Sequence, residues 1–493
     1  MSNKLLKFVL DKQVVEIDFQ KETFHPSTTV LNYLRSLPHH RGVKEGCAEG
    51  DCGACTVVLG ELTPGGGIRY RAIDSCLLFL PAIHGKQLIT VENLSRRQGT
   101  QTLLHPVQQA MVDQHGSQCG FCTPGFVMAL FAFYKTELQP TRENLVDAMA
   151  GNLCRCTGYQ PIINAAVQCC EQRGPDHFDQ QEAHIIQLLK QIHSQTNSLD
   201  IRTANQHYML PRNLDEALGW RAEFPDATVV AGATDTAIRQ NKTHEFAPAY
   251  IDLSQVSELQ EIREEENGYF LGAGVSIERL KAFSKEHLPA MMPMLEVFAS
   301  LQIREVATLG GNLATASPIG DLIPLFFALK ARMELGYLHQ KRIVDAESFI
   351  TGYRKNCLKP GELLLGVHIP KPGTEVVLRT EKVSTRRDLD ISTVCMAMRL
   401  IKADDDTVKE ILLAYGGMAE RTRRAANTEK FLLGKSWNEQ TIEAAVKVLE
   451  ADFTPISDAR GGSRYRMLAA QNILLKVLAE TSANPENTTE HGK

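Results

Sequence analysis

No stretch of this 493-residue sequence is apolar for long enough to cross a bilayer. Its longest strongly apolar run, Phe126 to Tyr134, falls far short of the roughly 20 residues a membrane helix needs, so no membrane association is expected. Long basic runs are missing too. The 53 Lys+Arg against 58 Asp+Glu leave a formal charge of −5, which argues against nucleic acid as a partner. The opening MSNKLLKFVLDKQVVEIDF carries charges inside its only apolar stretch, so no export leader is expected and the chain is placed in the cytoplasm. Disulfides are rare in such a reducing compartment and do not account for the twelve cysteines. Neither an internal repeat nor a low-complexity tract occurs, and bulky apolar residues are absent after about Thr481, where a flexible tail (483–493) is expected.

What remains is the composition of an ordinary globular protein, 43% hydrophobic and 23% charged, in a chain too long for one core. Phe8 and the alternating Val15, Ile17 and Phe19, with a turn at Asp11-Lys12, predict a hairpin. Thr28-Thr29 is placed to cap a short helix carrying Val30, Leu31 and Leu34. Cys55 to Leu59 and Tyr70 to Cys76 read as strands joined through Pro64-Gly65-Gly66-Gly67. From His105 the period becomes helical. One helix is expected to run to about His115, and another to start with Thr123 at N-cap and Pro124 at N1. A third lies between Thr141 and Gly151 and a fourth begins near Pro161. Residues 173–204, rich in Gln, His and Asp, read as a linker with one helix near Ile185 to Ile192.

Eight cysteines fall into two groups. Cys47, Cys52 and Cys55, followed by Cys76, have the C-x4-C-x2-C…C spacing of plant-type [2Fe–2S] ferredoxins. Four thiolates must converge on a binuclear cluster from one side, and Gly46, Gly50 and Gly53 permit the tight wrapping this requires. A structural zinc site pairs cysteines as C-x2-4-C twice, tens of residues apart, which does not match. In the second group, Cys119 and Cys122 precede one helix while Cys154 and Cys156 precede another. There the spacing alone leaves zinc open beside a second cluster. Cys169, Cys170, Cys357 and Cys395 are scattered and set aside.

Further along, VVAGATDT (Val229, Val230, Ala231, Gly232, Ala233, Thr234, Asp235, Thr236) is a strand ending in a small-residue turn. TLGGN (Thr308, Leu309, Gly310, Gly311, Asn312) is a second such turn, and successive backbone N–H groups in both suit a pyrophosphate. Gly272-Ala273-Gly274 lacks the third glycine of a dinucleotide fingerprint and reads as a strand-to-helix turn.

Taken together, QCGFCTPG (Gln118 to Gly125), GNLCRCTGY (Gly151 to Tyr159), GCAEGDCGACTV and TLGGNLATASPIGDLIP resemble the molybdenum hydroxylases, the family of xanthine dehydrogenases, aldehyde oxidases and carbon monoxide dehydrogenases. GYRK at Gly352, KVSTRRDLDIS from Lys382 and the segment from Tyr415 to Met418 extend the similarity over nearly the whole chain. The resemblance implies a multi-domain α+β fold with a β-grasp ferredoxin-like domain (1–88) and a four-helix [2Fe–2S] domain (89–172). After the linker come a two-part α+β FAD-binding domain (205–378) and a C-terminal α+β flavoprotein domain (379–482). It implies two [2Fe–2S] clusters on the eight cysteines and FAD contacts at 229–236, 308–312, Phe298, Asp321, Leu364 and Lys382. Leu389 interrupts the acidic loop Arg386 to Asp390. No catalytic residue for a substrate step is expected on this chain. A large partner subunit would carry the molybdenum cofactor, as a heterodimer or (αβ)2 heterotetramer, and electrons would pass from it through both clusters to FAD and on to NAD+. The fused module order favours the xanthine dehydrogenase branch over one acting on an aldehyde or N-heterocycle.

Overall fold

The computed structural model describes residues 4–195 and 197–482, so the expected tail lies outside the described residues. The chain forms two compact units. One runs to Glu258 and takes in Ala299–Thr308; the other comprises Leu259–Phe298 and the chain from Leu309 onward.

In the first unit, β1 (Leu5–Leu10) and β2 (Gln13–Asp18) form the expected hairpin, with Leu10 opposite Gln13. Thr29 caps α1 (Val30–Ser36) by accepting the Asn32 N–H, and Val30, Leu31, Tyr33 and Leu34 are buried. β3 (Thr56–Leu62), β4 (Ile68–Asp74) and β5 (Gln87–Ile89) complete a mixed sheet in the order β2-β1-β5-β3-β4. β1 and β5 run parallel and every other pair antiparallel, the β-grasp arrangement. β3 shows no apolar–polar alternation because both its faces are covered. Val57 and Leu59 join the core around α1, while Val58 joins a second core made with the helices that follow.

After the small hairpin β6 (Arg96–Gln98) and β7 (Gln101–Leu103) come α2 (Pro106–Asp113), α3 (Thr123–Thr136), α4 (Arg142–Met149) and α5 (Gln160–Glu171). The apolar run inside α3 is a core helix, buried from Gly125 to Tyr134. Its N-cap is Cys122 rather than the expected Thr123. The Thr123 hydroxyl instead meets Ser117 Oγ at 2.7 Å, so Pro124 falls one position later in the first turn.

Residues 173–204 are more ordered than a linker. They include α6 (His177–Gln195), whose Ile185, Leu189 and Ile192 recur at helical spacing and pack against Val9. They also include β8 (Leu199–Arg202). With β9 (His207–Leu210), β10 (Thr228–Val230) and β11 (Ala249–Asp252) it makes a four-stranded sheet ordered β10-β11-β9-β8. Tyr208, Leu210, Val230 and Tyr250 belong to the same apolar core as α1, and the Phe79 and Tyr250 rings meet edge-on at 5.5 Å. Two further helices of this unit are α7 (Leu214–Glu223) and α8 (Thr236–Thr243).

The second unit holds two antiparallel sheets. One runs β12-β13-β18-β14-β15, with β12 at Ile262–Glu265, β13 at Gly268–Gly272, β14 at Arg332–Tyr337, β15 at Gln340–Asp345 and β18 at Leu363–Pro370. The GYRK segment forms the small hairpin β16 (Ile350–Gly352) and β17 (Lys355–Asn356). The other sheet is β19 (Val377–Val383), β20 (Val394–Lys402), β21 (Val408–Gly416) and β22 (Arg423–Arg424). Three helices, Ala426–Leu432, Glu439–Val448 and Ser463–Ser482, share its core.

Truncating Leu189 to alanine removes a fully buried side chain from the α6 contact, and a loss of about 2–4 kcal/mol is expected. Urea unfolding followed by circular dichroism measures it, with the exposed Gln187→Ala as the control that should change nothing.

Candidate cluster and flavin sites

The first cysteine group sits on the loop between α1 and β3, with Cys76 just beyond β4. Ala48, Gly50 and Gly53 all adopt positive φ, which curls the loop around its own thiols. A β-carbon on Gly46 would lie 2.8 Å from Cys52 Sγ. Backbone N–H groups point inward: those of Glu49 and Asp51 donate to Cys47 Sγ at 3.4 and 3.2 Å, and that of Cys47 donates to Cys52 Sγ at 3.4 Å. The neighbouring Cys52 thiol and these N–H groups draw the Cys47 thiol down to about 5, into the thiolate range. Cys55 and Cys76 are buried, and Cys76 together with burial pushes the Cys55 thiol up. Burial, reinforced by the charge of Cys47, raises the nearby Asp74 carboxyl to about 8.

The second group occupies the loops before α3 and α5. Gly120, Gly158 and Tyr159 take positive φ here. The Cys154 N–H donates to Tyr159 Oη at 2.9 Å, and Cys154 Sγ lies 3.2 Å from Thr157 Oγ1. Cys119 and Cys156 are exposed while Cys122 and Cys154 are half-buried, so this site is far more open than the first.

In both groups neighbouring thiols perturb one another, most strongly Cys47 with Cys52, Cys55 with Cys76 and Cys119 with Cys156, with Cys154 acting on Cys122 as well as on Cys119. Among the described residues, no three His, Cys, Asp or Glu side chains gather as they would around a single ion. Paired thiols fit a binuclear cluster, in which each iron takes two of the four cysteines. Of the four scattered cysteines, Cys169 and Cys170 lie on α5, Cys357 just after β17 and Cys395 on β20.

Sequence reasoning missed what joins the two loops. Asn152, 2% exposed, donates through Nδ2 to Gly53 O at 2.9 Å and to Thr56 Oγ1 at 3.1 Å, and accepts from Gln302 Nε2 at 2.8 Å. The neighbouring Leu153 N–H donates to Cys52 O at 3.0 Å. A β-carbon on Gly125 would come within 2.2 Å of Gly53 O. The signal was present as Gly-Asn immediately before the second cysteine pair, but its partners lie about a hundred residues away.

The flavin candidates divide between the units. In the first, Val229 and Val230 end β10, Ala233 has positive φ, and α8 starts at Thr236. Gly232 packs so closely that a β-carbon would sit 1.9 Å from Val306 O. Thr308, buried, is the last residue of this unit. In the second, Leu309 to Asn312 lie in the helix Leu309–Ala314, whose Gly310 N–H donates to Ala273 O at 2.7 Å. Gly272-Ala273-Gly274 is thus the strand-to-helix connection on which this helix rests. Asn312 Oδ1 is buried and finds no hydrogen-bond partner among the described residues, which fits an acceptor for a ligand donor.

Asp321 and Lys382 form a buried pair at 2.8 Å. Lys382 Nζ also donates to Val297 O at 3.1 Å, next to the buried Phe298, and the Ser392 hydroxyl donates to Asp321 Oδ1. Three predicted residues are thereby drawn to one place, and Ser392 and Val297 are additions. Leu364 stands in β18 opposite Leu335, buried like its core neighbours. In the loop Arg386 to Asp390, Leu389 is buried at positive φ, and the Arg386 N–H donates to Asp390 Oδ2 at 2.8 Å. A further unforeseen anchor is Arg466, fully buried in the last helix, which donates to the carbonyls of Thr393 and Gly417 and pairs with Asp458 at 2.7 Å.

Three family models match the sequence: a [2Fe-2S] binding domain over 90–167, the FAD binding domain in molybdopterin dehydrogenase over 199–372, and a CO dehydrogenase flavoprotein C-terminal domain over 379–481. The xanthine dehydrogenase of Calliphora vicina is 34% identical across 96% of this chain. The chain belongs to the molybdenum hydroxylase family. Within it, the xanthine dehydrogenase/oxidase of Gallus gallus is 31% identical across 93% of the chain. The chain spans about two fifths of the length of these relatives, 38% in both cases. Two solved members match part of its structure: a chain of the Cu,Mo-CO dehydrogenase in cyanide-inactivated form and one of quinoline 2-oxidoreductase from Pseudomonas putida 86. They are 29% and 28% identical, with TM-scores of 0.52, covering 56% of this chain and 98% and 96% of theirs. As a molybdenum hydroxylase component the chain carries a [2Fe–2S] binding domain and an FAD-binding domain. No helix among the described residues is long and apolar enough to cross a membrane.

Replacing Asn152 with alanine leaves the Gln302 amide and the Gly53 carbonyl without their partner in a buried setting. A loss of about 1–3 kcal/mol is expected in urea unfolding, and wild-type stability would mean the bridge contributes nothing.

Proposed function

We propose that the chain is the electron-transfer subunit of a xanthine dehydrogenase, active in the cytoplasm with a larger subunit that bears the molybdenum cofactor and oxidises hypoxanthine and xanthine. NAD+ is the final acceptor. The domain limits follow the sequence reading: 1–88 and 89–172 for the cluster domains, 205–378 and 379–482 for the flavin unit. The observation that carries this proposal is two groups of four cysteines on neighbouring loops, the first with backbone N–H groups aimed at its sulfurs, in one chain with a flavin-binding segment. The xanthine branch is supported by relatives of that name aligning over 93–96% of the chain.

When bound, the clusters supply one-electron transfer, and the flavin exchanges single electrons for a pair. The protein holds and tunes them. Cys47, Cys52, Cys55 and Cys76 would ligate one cluster and Cys119, Cys122, Cys154 and Cys156 the other. Inward N–H groups at Glu49, Asp51 and Cys47 offset negative charge on sulfur. Residues 229–236 and 308–312 would face the FAD diphosphate and ribityl, with Asp321, Leu364, Lys382 and Phe298 contributing further contacts.

Isolated alone, the chain should contain two clusters' worth of iron and sulfide and one FAD, and reduce artificial dyes with NADH without oxidising purines. Colourless, zinc-containing protein would sink the reading. With its partner restored, purine oxidation distinguishes this branch from one acting on an aldehyde or N-heterocycle. Cys119→Ser should erase one of two EPR signals and stop purine-to-NAD+ flow while dye reduction survives; Cys357→Ser should leave both signals intact.

A further inference from the structure

Helix α8 leaves the loop 229–236 and ends on the first cysteine loop. Its first turn is locked to the former, since the Ala237 N–H donates to Ala233 O at 2.8 Å. Its last turn reaches the latter through side chains. Asn241 Nδ2 donates to Ala48 O at 3.0 Å and to Cys76 O at 2.8 Å, so one amide clasps both chain segments that bring thiols to the site. Lys242 Nζ donates to Cys47 O at 2.6 Å and stands 3.3 Å from the Glu49 carboxylate. The buried Gln240 fixes the same turn by donating to Ser27 O at 2.8 Å.

We propose that α8 is a strut holding the first cysteine loop in place, and that Lys242 sets the reduction potential of the cluster bound there. This rests on the assignment of Cys47, Cys52, Cys55 and Cys76 as cluster ligands. The physical reason is charge. A cluster held by four thiolates is anionic and becomes more so on accepting an electron, so a cation at the carbonyl of one ligand favours the reduced form. Glu49 opposes it from the same side. Because the Lys242 side chain is 43% exposed, water and salt damp the effect without abolishing it. Asn241 acts through the backbone and Lys242 through its field; both are positioning residues, since neither carries electrons itself.

The test is an EPR-monitored redox titration of the full chain with its cofactors, at low and high ionic strength. Cys47→Ser identifies the signal belonging to this loop. Lys242→Gln should disfavour reduction of that cluster by about threefold to tenfold, tenfold being about 59 mV for one electron. Glu49→Gln should shift it the opposite way, and Lys242→Arg should restore the wild-type value. The other cluster should stay put, and the differences should shrink as salt is raised. Asn241→Ala should change the line shape of the same signal. An unmoved potential in Lys242→Gln, or an equal shift in both clusters, overturns the role of Lys242; an unaltered line shape overturns the strut. If Cys47→Ser leaves both signals standing, the ligand assignment itself is wrong, and the proposal falls with it.

Discussion

Gly53 lies against Gly125 and the Gly151–Asn152 peptide at a separation that leaves no room for a β-carbon on either glycine. Everything about the two cysteine loops depends on that close approach. Only when the backbones touch can Asn152 reach Gly53 and Thr56 together, and only then can the Leu153 N–H meet the Cys52 carbonyl. The result is that Cys52 of one group and Leu153, the neighbour of Cys154 in the other, share a single hydrogen bond. Two domains with separate origins in the sequence, one sheet-based and one helical, are thereby fixed at a distance set by backbone rather than by flexible side chains.

The same unit grades its environment. At the inner, first group two thiols are buried and two half-buried, with N–H groups converging on sulfur; at the outer, second group two of the four thiols face solvent. Charge is placed with comparable economy. The Asp321–Lys382 pair in the second unit is withdrawn from water and tied to Ser392, so its geometry is fixed, whereas Lys242 beside the inner loop remains wet and adjustable.

Local features were legible in the sequence because their causes are local. The β1–β2 hairpin follows from alternation and a two-residue turn, the Thr29 cap from its place before Val30 and Leu31, and both cysteine groups from their spacing. Where tertiary contact decides, pattern failed. Thr123 lost the cap position because its hydroxyl is engaged by Ser117 and Cys122 takes that place. Polar composition hid the full length of α6, foreseen only near Ile185 to Ile192, whose narrow apolar stripe matters only once Val9 is there to receive it. Asn241, Lys242 and Arg466 carry no local signal, and Asn152 stood out only as part of GNLCRCTGY. Their partners are dozens to nearly two hundred positions away, and no periodicity encodes such pairings.

The openness of Cys119 and Cys156 carries a cost in durability. Sulfur that solvent can reach is sulfur that peroxide can reach, whereas Cys55 and Cys76, 2% and 1% exposed, are shielded by the fold around them. Oxidation in air would therefore reach Cys119 and Cys156 before Cys55 and Cys76.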